Sequence, residues 1–525
     1  MQRTAGPLEA RTIPALARAA ALAFGDAHAV EDGAVTLSFA GLWSAALRAA
    51  RGFLAAGVAP GDRVAIWAPN LHEWIVAALG LQAAGGVLVP INTRWKGAEA
   101  GYVLQKCRAR LLCTVDEFLG TNYPALIAKE DLPALEGIVC LRGEATGALA
   151  WRDFLARGEA VSEEQALARA EAVSPDALSD LLFTSGTTGR PKGVMTTHAQ
   201  NLRAFAAWSE VVGLREGDRY LVVNPFFHAF GYKAGWLASL LRGATVLPHA
   251  VFDVPAVLER VGKERVSVLP GPPTLYQSIL AHPDRARFDL SALRLAVTGA
   301  AAIPVELIHR MRRELGFETI ITGYGLTECC GIVSMCRFDD APETIATTSG
   351  RAIDGTEVRC VDRDGREVPR GEPGEVVVRG YQVMRGYFED EQETRKTIDA
   401  EGWLHTGDVA VMDERGYLRI TDRIKDMFIT GGFNCYPAEI ESLLYGHGGI
   451  AQAAVIGIPD ERLGEVGKAF VVPAPGAQLT PAAVIAWCRE QMANYKVPRA
   501  VEIVDALPMN ASGKVMKYLL RERSG

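Results

Sequence analysis

Thr184-Ser185-Gly186-Thr187-Thr188-Gly189-Arg190-Pro191-Lys192-Gly193 follows the apolar run Ser179 to Thr184 (SDLLFT), a strand pattern ending in an anion-binding loop. The hydroxyls can donate to phosphate oxygens, and the glycines let backbone N–H groups converge on an anion. Lys192 adds a mobile positive charge suited to a polyphosphate. The Walker spacing is absent, and so is the dinucleotide fingerprint G-x-G-x-x-G. A plain flexible turn does not need ten residues of this composition at a strand end. The segment reads as a phosphate loop of another kind.

Outward from this loop, the chain alternates short β-rich runs with helical periodicity, the pattern of layered α/β architecture. Arg63 to Ala68, Gly86 to Pro90, Ala244 to Leu247, Val266 to Leu269 and Leu295 to Val297 are strand candidates. Helices are expected over Asn70 to Ala84 and from about Ala199. Past Gly350 the texture changes. Asp362-Arg363-Asp364-Gly365 and Asp413-Glu414-Arg415-Gly416 are tight-turn signals between alternating strands, so antiparallel hairpins are expected there. From Pro437 the order reads helix, strand, strand, helix (Pro481 to Gln491), strand (Arg499 to Val504), polar loop, helix. The expected organisation is a large domain over 1–421, a hinge over 422–427 and a small domain over 428–525.

The 525 residues are 49% hydrophobic and 22% charged, which places the chain with soluble globular proteins and excludes disorder and fibrous repeats. A net charge of −7 argues against a nucleic-acid-coating protein. The nine cysteines show no Cys-x-x-Cys spacing, so a disulfide framework or structural zinc is not expected and a reducing cytoplasm fits. Met1 to Phe24 carries Glu9, Arg11 and Arg18 with no clean apolar block. The most apolar stretch, Ile75 to Ile91, is broken by Gln82, Gly85, Gly86 and Pro90. No integral membrane segment and no nucleic-acid partner are expected; a homodimer is left open.

Further motifs follow in order: Phe226-Phe227-His228; Gly323-Tyr324-Gly325-Leu326-Thr327-Glu328; Thr406-Gly407-Asp408; Asp422 to Glu441; and Pro508-Met509-Asn510-Ala511-Ser512-Gly513-Lys514. With the phosphate loop, this series resembles the adenylate-forming superfamily of acyl-CoA synthetases, luciferases and peptide-synthetase adenylation domains. The resemblance implies a large N-terminal domain of layered α/β subdomains with a small antiparallel β part, and a small mobile C-terminal α+β domain.

It also implies roles. Thr184, Ser185, Gly186, Thr187, Thr188, Gly189 and Lys192 would hold the ATP phosphates, with Glu328 and Thr184 carrying Mg²⁺ as hard oxygen ligands. Tyr324 would stack on adenine within a site that includes Gly299, Ala300, Ala301, Gly323, Gly325 and Thr327. Asp408 and Arg423 would bond the ribose hydroxyls, and Ile420 would belong to the same nucleotide site. Lys514 would bridge carboxylate and α-phosphate, and Lys425 would be the pivot on which the small domain swings. Gly431, Gly432 and Phe433, in one expected strand Phe428 to Phe433, would line a tunnel for coenzyme A, with glycines allowing close approach.

His228 would line the acyl channel; alone in an apolar run, it would ordinarily be read as a core histidine. Phe230, Tyr232, Lys233, Trp236, Ala300, Cys329, Cys330, Gly331 and Ile332 are the family's pocket positions. Lys233 is unusual in its apolar run, and a salt bridge competes with a substrate contact there. The strings Asn224 to Gly235, Leu269 to Leu280 and Thr347 to Gly350 (TTSG) resemble bacterial ligases for the hexahydroindanedione propanoate of steroid-ring degradation, and their fatty-acyl relatives. The implied substrate is a small-molecule carboxylic acid, medium-chain, aryl or ring-bearing. Three functions stand at this point: a carboxylate–CoA ligase, an adenylating enzyme with another acceptor or an oxyanion such as nitrite, and an idle ligand-binding fold.

Overall fold

The computed structural model describes residues 6–184, 191–299, 303–423, 426–430, 433–492, 494–510 and 515–524. Its first sheet orders Leu149–Ala150, Gly137–Arg142, Leu111–Val115, Arg63–Trp67, Val87–Pro90, Leu178–Thr184 and Lys192–Thr197. The pairs are parallel until the last, where Lys192–Thr197 turns back antiparallel on Leu178–Thr184. Val87–Pro90 is buried at every position, as a parallel strand covered on both faces must be. Helix His72–Ala83 is likewise buried from Glu73 to Ala83, which is why its sequence shows no polar stripe.

A second sheet carries Val35–Ser38, His28–Asp32, Thr245–Pro248 and Arg219–Val222, then Leu295–Gly299, Thr319–Tyr324, Ser334–Met335 and Arg351–Ala352. The expected strand Val266 to Leu269 shrinks to a single rung: Val268 pairs in parallel with Tyr220 and with Leu295 and so joins the two halves. Arg219–Val222, Leu295–Gly299 and Thr319–Tyr324 all run the same way, and expected site residues lie at or shortly beyond the end of each. Ligands in open α/β sheets bind outside such carboxyl ends.

The TTSG string has a structural reason. Gly350 has φ +74°, and a Cβ there would lie 1.8 Å from the Met335 carbonyl carbon. The Ser349 N–H donates to Leu418 O at 2.7 Å and the Leu418 N–H to Gly350 O at 2.8 Å. This stitches the second sheet to a third, the antiparallel strands Thr356–Val361, Pro373–Gly380, Leu404–Met412 and Leu418–Arg423.

The small domain pairs Ile450–Asp460, Gly464–Pro473 and Ala500–Ile503 over helices Pro437–Leu444, Pro481–Gln491 and Lys517–Glu522, as its sequence order indicates. The expected single strand Phe428 to Phe433 is instead two, Phe428–Thr430 and Phe433–Cys435, paired antiparallel. The Gly431-Gly432 pair between them lies outside the described residues.

Candidate active site

The segment from Met384 to Phe388 ties the motifs together. Its Phe388 N–H donates to Gly193 O at 2.7 Å, its Met384 N–H to Glu328 O at 2.8 Å, and Tyr387 bridges to Val194. The Tyr387 hydroxyl donates to Glu328 Oε1 at 2.9 Å. Among the described residues Glu328 Oε2 has no hydrogen-bond partner, so this half-buried carboxylate keeps an oxygen for a hard cation. Lys192, from the phosphate loop, lies over the Tyr387 ring at 5.1 Å and pairs with Glu393 at 2.5 Å. Lys192 and then Lys396 hold the Glu393 carboxyl down at about 2.

Four residues before Glu328, Tyr324 donates from its hydroxyl to Asp408 Oδ2 at 2.5 Å, joining the expected adenine and ribose positions. Burial, with the facing Asp408 carboxylate, pushes the Tyr324 phenol far above its ordinary value, so it stays a donor. Asp408 is held in turn: its N–H donates to Thr406 Oγ1 at 3.1 Å, and the Gly407 N–H donates to Glu375 Oε1 at 3.0 Å.

His228 is exposed, six residues beyond the strand Arg219–Val222 and just before the helical segment Phe230–Leu237, which overturns the default of a core histidine. The loop before it is clamped by Asn70, whose Oδ1 accepts from the Phe226 N–H at 2.7 Å. Its Nδ2 donates to Val222 O and Asn224 O at 3.0 and 2.9 Å. A Cβ on Gly331 would lie 3.0 Å from Ala229 Cβ, so the wall at 331 abuts the histidine segment. Phe230 and Ile332 border that contact, half-buried and buried respectively.

Other expected pocket positions are committed elsewhere. Lys233 has no exposed surface; its ammonium pairs with Asp180 at 3.2 Å and donates to Thr196 Oγ1 at 3.1 Å. It therefore acts as a core ion pair, not a wall residue free to meet substrate. Tyr232 and Trp236 stack at 4.8 Å in an aromatic core with Trp74. The neighbouring thiols part company: Cys330 joins the large-domain core and Cys329 the core of the antiparallel sheet. Burial pushes Cys330 up to about 12 and Cys329 well above its ordinary value, so both act as small hydrophobes.

Gly323 precedes Tyr324 at the end of the strand Thr319–Tyr324, Thr327 opens the short turn after it, and Gly299 pairs with Gly323 across parallel strands. Ser185, Gly186, Thr187, Thr188, Gly189, Ala300, Ala301, Lys425, Gly431, Gly432 and Lys514 lie outside the described residues, as do the side chains of Arg423 and Phe433. Met509 pairs antiparallel with Val515 on either side of the lysine loop. Sequence reading missed Asn70, Tyr387 and Glu393; no local motif marks residues whose partners lie far along the chain. Away from these motifs, a carboxylate–imidazole cluster of Asp32, His72 and Glu73 is filled by Arg142, which donates to Asp32 and Glu73 at 2.7 and 2.6 Å.

Gly325 gives a first test. A Cβ there would sit 2.1 Å from Gly331 O, a backbone atom that cannot step aside. Gly325→Ala is expected to cost about 2 kcal/mol or more through overpacking and to displace Glu328. Calorimetric titration with ATP should show affinity down by about tenfold or more; affinity within twofold of wild type would refute the placement of this loop.

The fold is that of the adenylate-forming enzymes, and the chain belongs to the AMP-binding enzyme family. Residues 17–388 match that family and residues 439–514 its C-terminal domain. Over 517 residues it is 52% identical to 3-[(3aS,4S,7aS)-7a-methyl-1,5-dioxo-octahydro-1H-inden-4-yl]propanoyl:CoA ligase of Rhodococcus jostii (strain RHA1), covering 97% of this chain and 98% of that protein. The ligase of the same name from Mycobacterium tuberculosis (strain ATCC 25618 / H37Rv) is 51% identical, with 90% and 91% covered. The anthranilate CoA ligase AuaEII in complex with anthranoyl-AMP superposes with a TM-score of 0.88 at 29% identity, covering 98% and 97% of the two chains. Among the described residues no helix is long and apolar enough to cross a membrane.

Proposed function

We infer that the chain is an AMP-forming carboxylate–CoA ligase acting on a ring-bearing propanoate of the indanedione class. The observation that carries this reading is the 52% identity, over 97% of the chain, to a ligase named for that acid. The residue arrangement supports it. A carboxylate oxygen attacks the α-phosphorus of ATP and pyrophosphate leaves; the coenzyme A thiolate then attacks the acyl carbonyl and AMP leaves. Positioning and charge stabilisation dominate such transfers.

Thr184 and Lys192, with the Ser185–Gly189 loop, would hold the β- and γ-phosphates. Mg²⁺ bound by Glu328 and Thr184 would offset the phosphate charge. Tyr387 donates to one oxygen of Glu328, which leaves the other for the ion. Asp408, anchored by Tyr324, would accept from ribose hydroxyls. Lys514 would neutralise charge between carboxylate and α-phosphate, and the small domain, pivoting at Lys425, would then withdraw it and close the coenzyme A tunnel at Gly431, Gly432 and Phe433. His228 and Phe230, with Ala229 and Gly331 behind them, would form the acyl channel.

The test is AMP release with ATP and Mg²⁺, with and without coenzyme A, on the indanedione propanoate, ferulate and medium-chain fatty acids. Strong coenzyme A dependence, with the ring-bearing propanoate preferred, is the expected result. Release that ignores coenzyme A, or needs an amine or nitrite, would overturn it.

A further inference from the structure

Lys192 is the phosphate-loop cation whose side chain the structure describes, and it is already engaged. Its Nζ lies 2.5 Å from Glu393 Oε2, and the two side chains are 15% and 24% exposed. Glu393 is built in firmly. It stands in the first turn of helix Glu391–Thr397, its N–H donates to the capping Asp390 at 3.1 Å, and Thr394 Oγ1 accepts from the Tyr387 N–H at 2.9 Å. Lys192 by contrast hangs on a flexible four-carbon stem at the start of its strand. Glu393 Oε1 also holds Lys396 at 2.6 Å.

A polyphosphate on the loop must either draw the Lys192 ammonium away from Glu393 or bind beside that carboxylate's charge. Both oppose binding. Lys396 remains as counter-ion when Lys192 leaves, so the exchange strands no charge. We propose that Glu393 is a positioning residue that competes with polyphosphate for Lys192, loosening the hold on ATP and on departing pyrophosphate. The proposal rests on Lys192 being a phosphate contact, as in the function inferred above.

The experiment uses the full chain, with calorimetric titration of ATP in the absence of acid and product inhibition by pyrophosphate. Glu393→Gln keeps the shape and removes the charge. It is expected to tighten both by about two- to fivefold, the range of a partly exposed ion pair. A surface bridge that merely steadied the helix would not tighten anything, and an unchanged or weakened affinity overturns the proposal. Lys192→Gln separates the two readings. It should weaken both affinities, and adding Glu393→Gln to it should restore little. If Lys192→Gln changes nothing, Lys192 is no phosphate contact, and that assignment falls together with the competition, while the ligase reading stands on its own test. If it weakens binding while Glu393→Gln fails to tighten it, the competition alone falls.

Discussion

Lys514→Ala is expected to lower acyl-adenylate formation by about 100- to 1000-fold while leaving transfer of a supplied acyl-adenylate to coenzyme A largely intact. The magnitude is that of removing one preorganised donor aimed at developing charge. Two anions, the carboxylate and the α-phosphate, must approach each other in the first step, and the Lys514 ammonium between them would offset the repulsion. In the second step the nucleophile is a thiolate, and the same ammonium would stand in its path. The fold should not suffer. The lysine loop is flanked by the Met509–Val515 pairing, with Met509 37% exposed. Pyrophosphate exchange measures the first half-reaction, and AMP release from synthetic adenylate measures the second. Loss of both in a folded variant would contradict the assignment.

The parts of this molecule that were legible from sequence are those whose signal is local. The strand Leu178–Thr184 announces itself by an apolar run and then a loop; the small domain's order follows from periodicity and turns. Where legibility failed, the deciding partner lay elsewhere in the chain. Val266 to Leu269 looks like its neighbours, yet only Val268 finds a rung on both sides. Asn70 is an unremarkable polar residue until Phe226, 156 positions on, donates to it. Tyr387 and Glu393 gain meaning only against Glu328 and Lys192. Cys329 and Cys330 are adjacent in sequence but face different cores, a separation produced by the left-handed Cys330 at φ +57°.

Lys233→Met is expected to destabilise the protein by about 3–5 kcal/mol, the cost of stripping one partner from a buried ion pair. Lys233 and Asp180 are both without exposed surface. Asp180 already accepts from the Ser179 and Thr196 hydroxyls and from Asn201 Nδ2, each at 2.7 Å, but those neutral donors leave its charge uncompensated. The pair also has a place in the site's architecture. Asp180 lies on the strand that runs into the phosphate loop, and Lys233 follows His228 by five residues, so the bond fastens the histidine segment to the phosphate strand. Asp180→Asn alongside Lys233→Met should recover most of the loss. The new amide can accept from Ser179 and Asn201 through its oxygen and donate to Thr196 through its nitrogen, with no charge left in the core. Denaturant midpoints at constant m-value measure both effects. A single variant within about 1 kcal/mol of wild type, or a double variant no better than the single, would show that the core solvates Asp180 without its lysine; the ion pair would then not be what joins the two halves of the site.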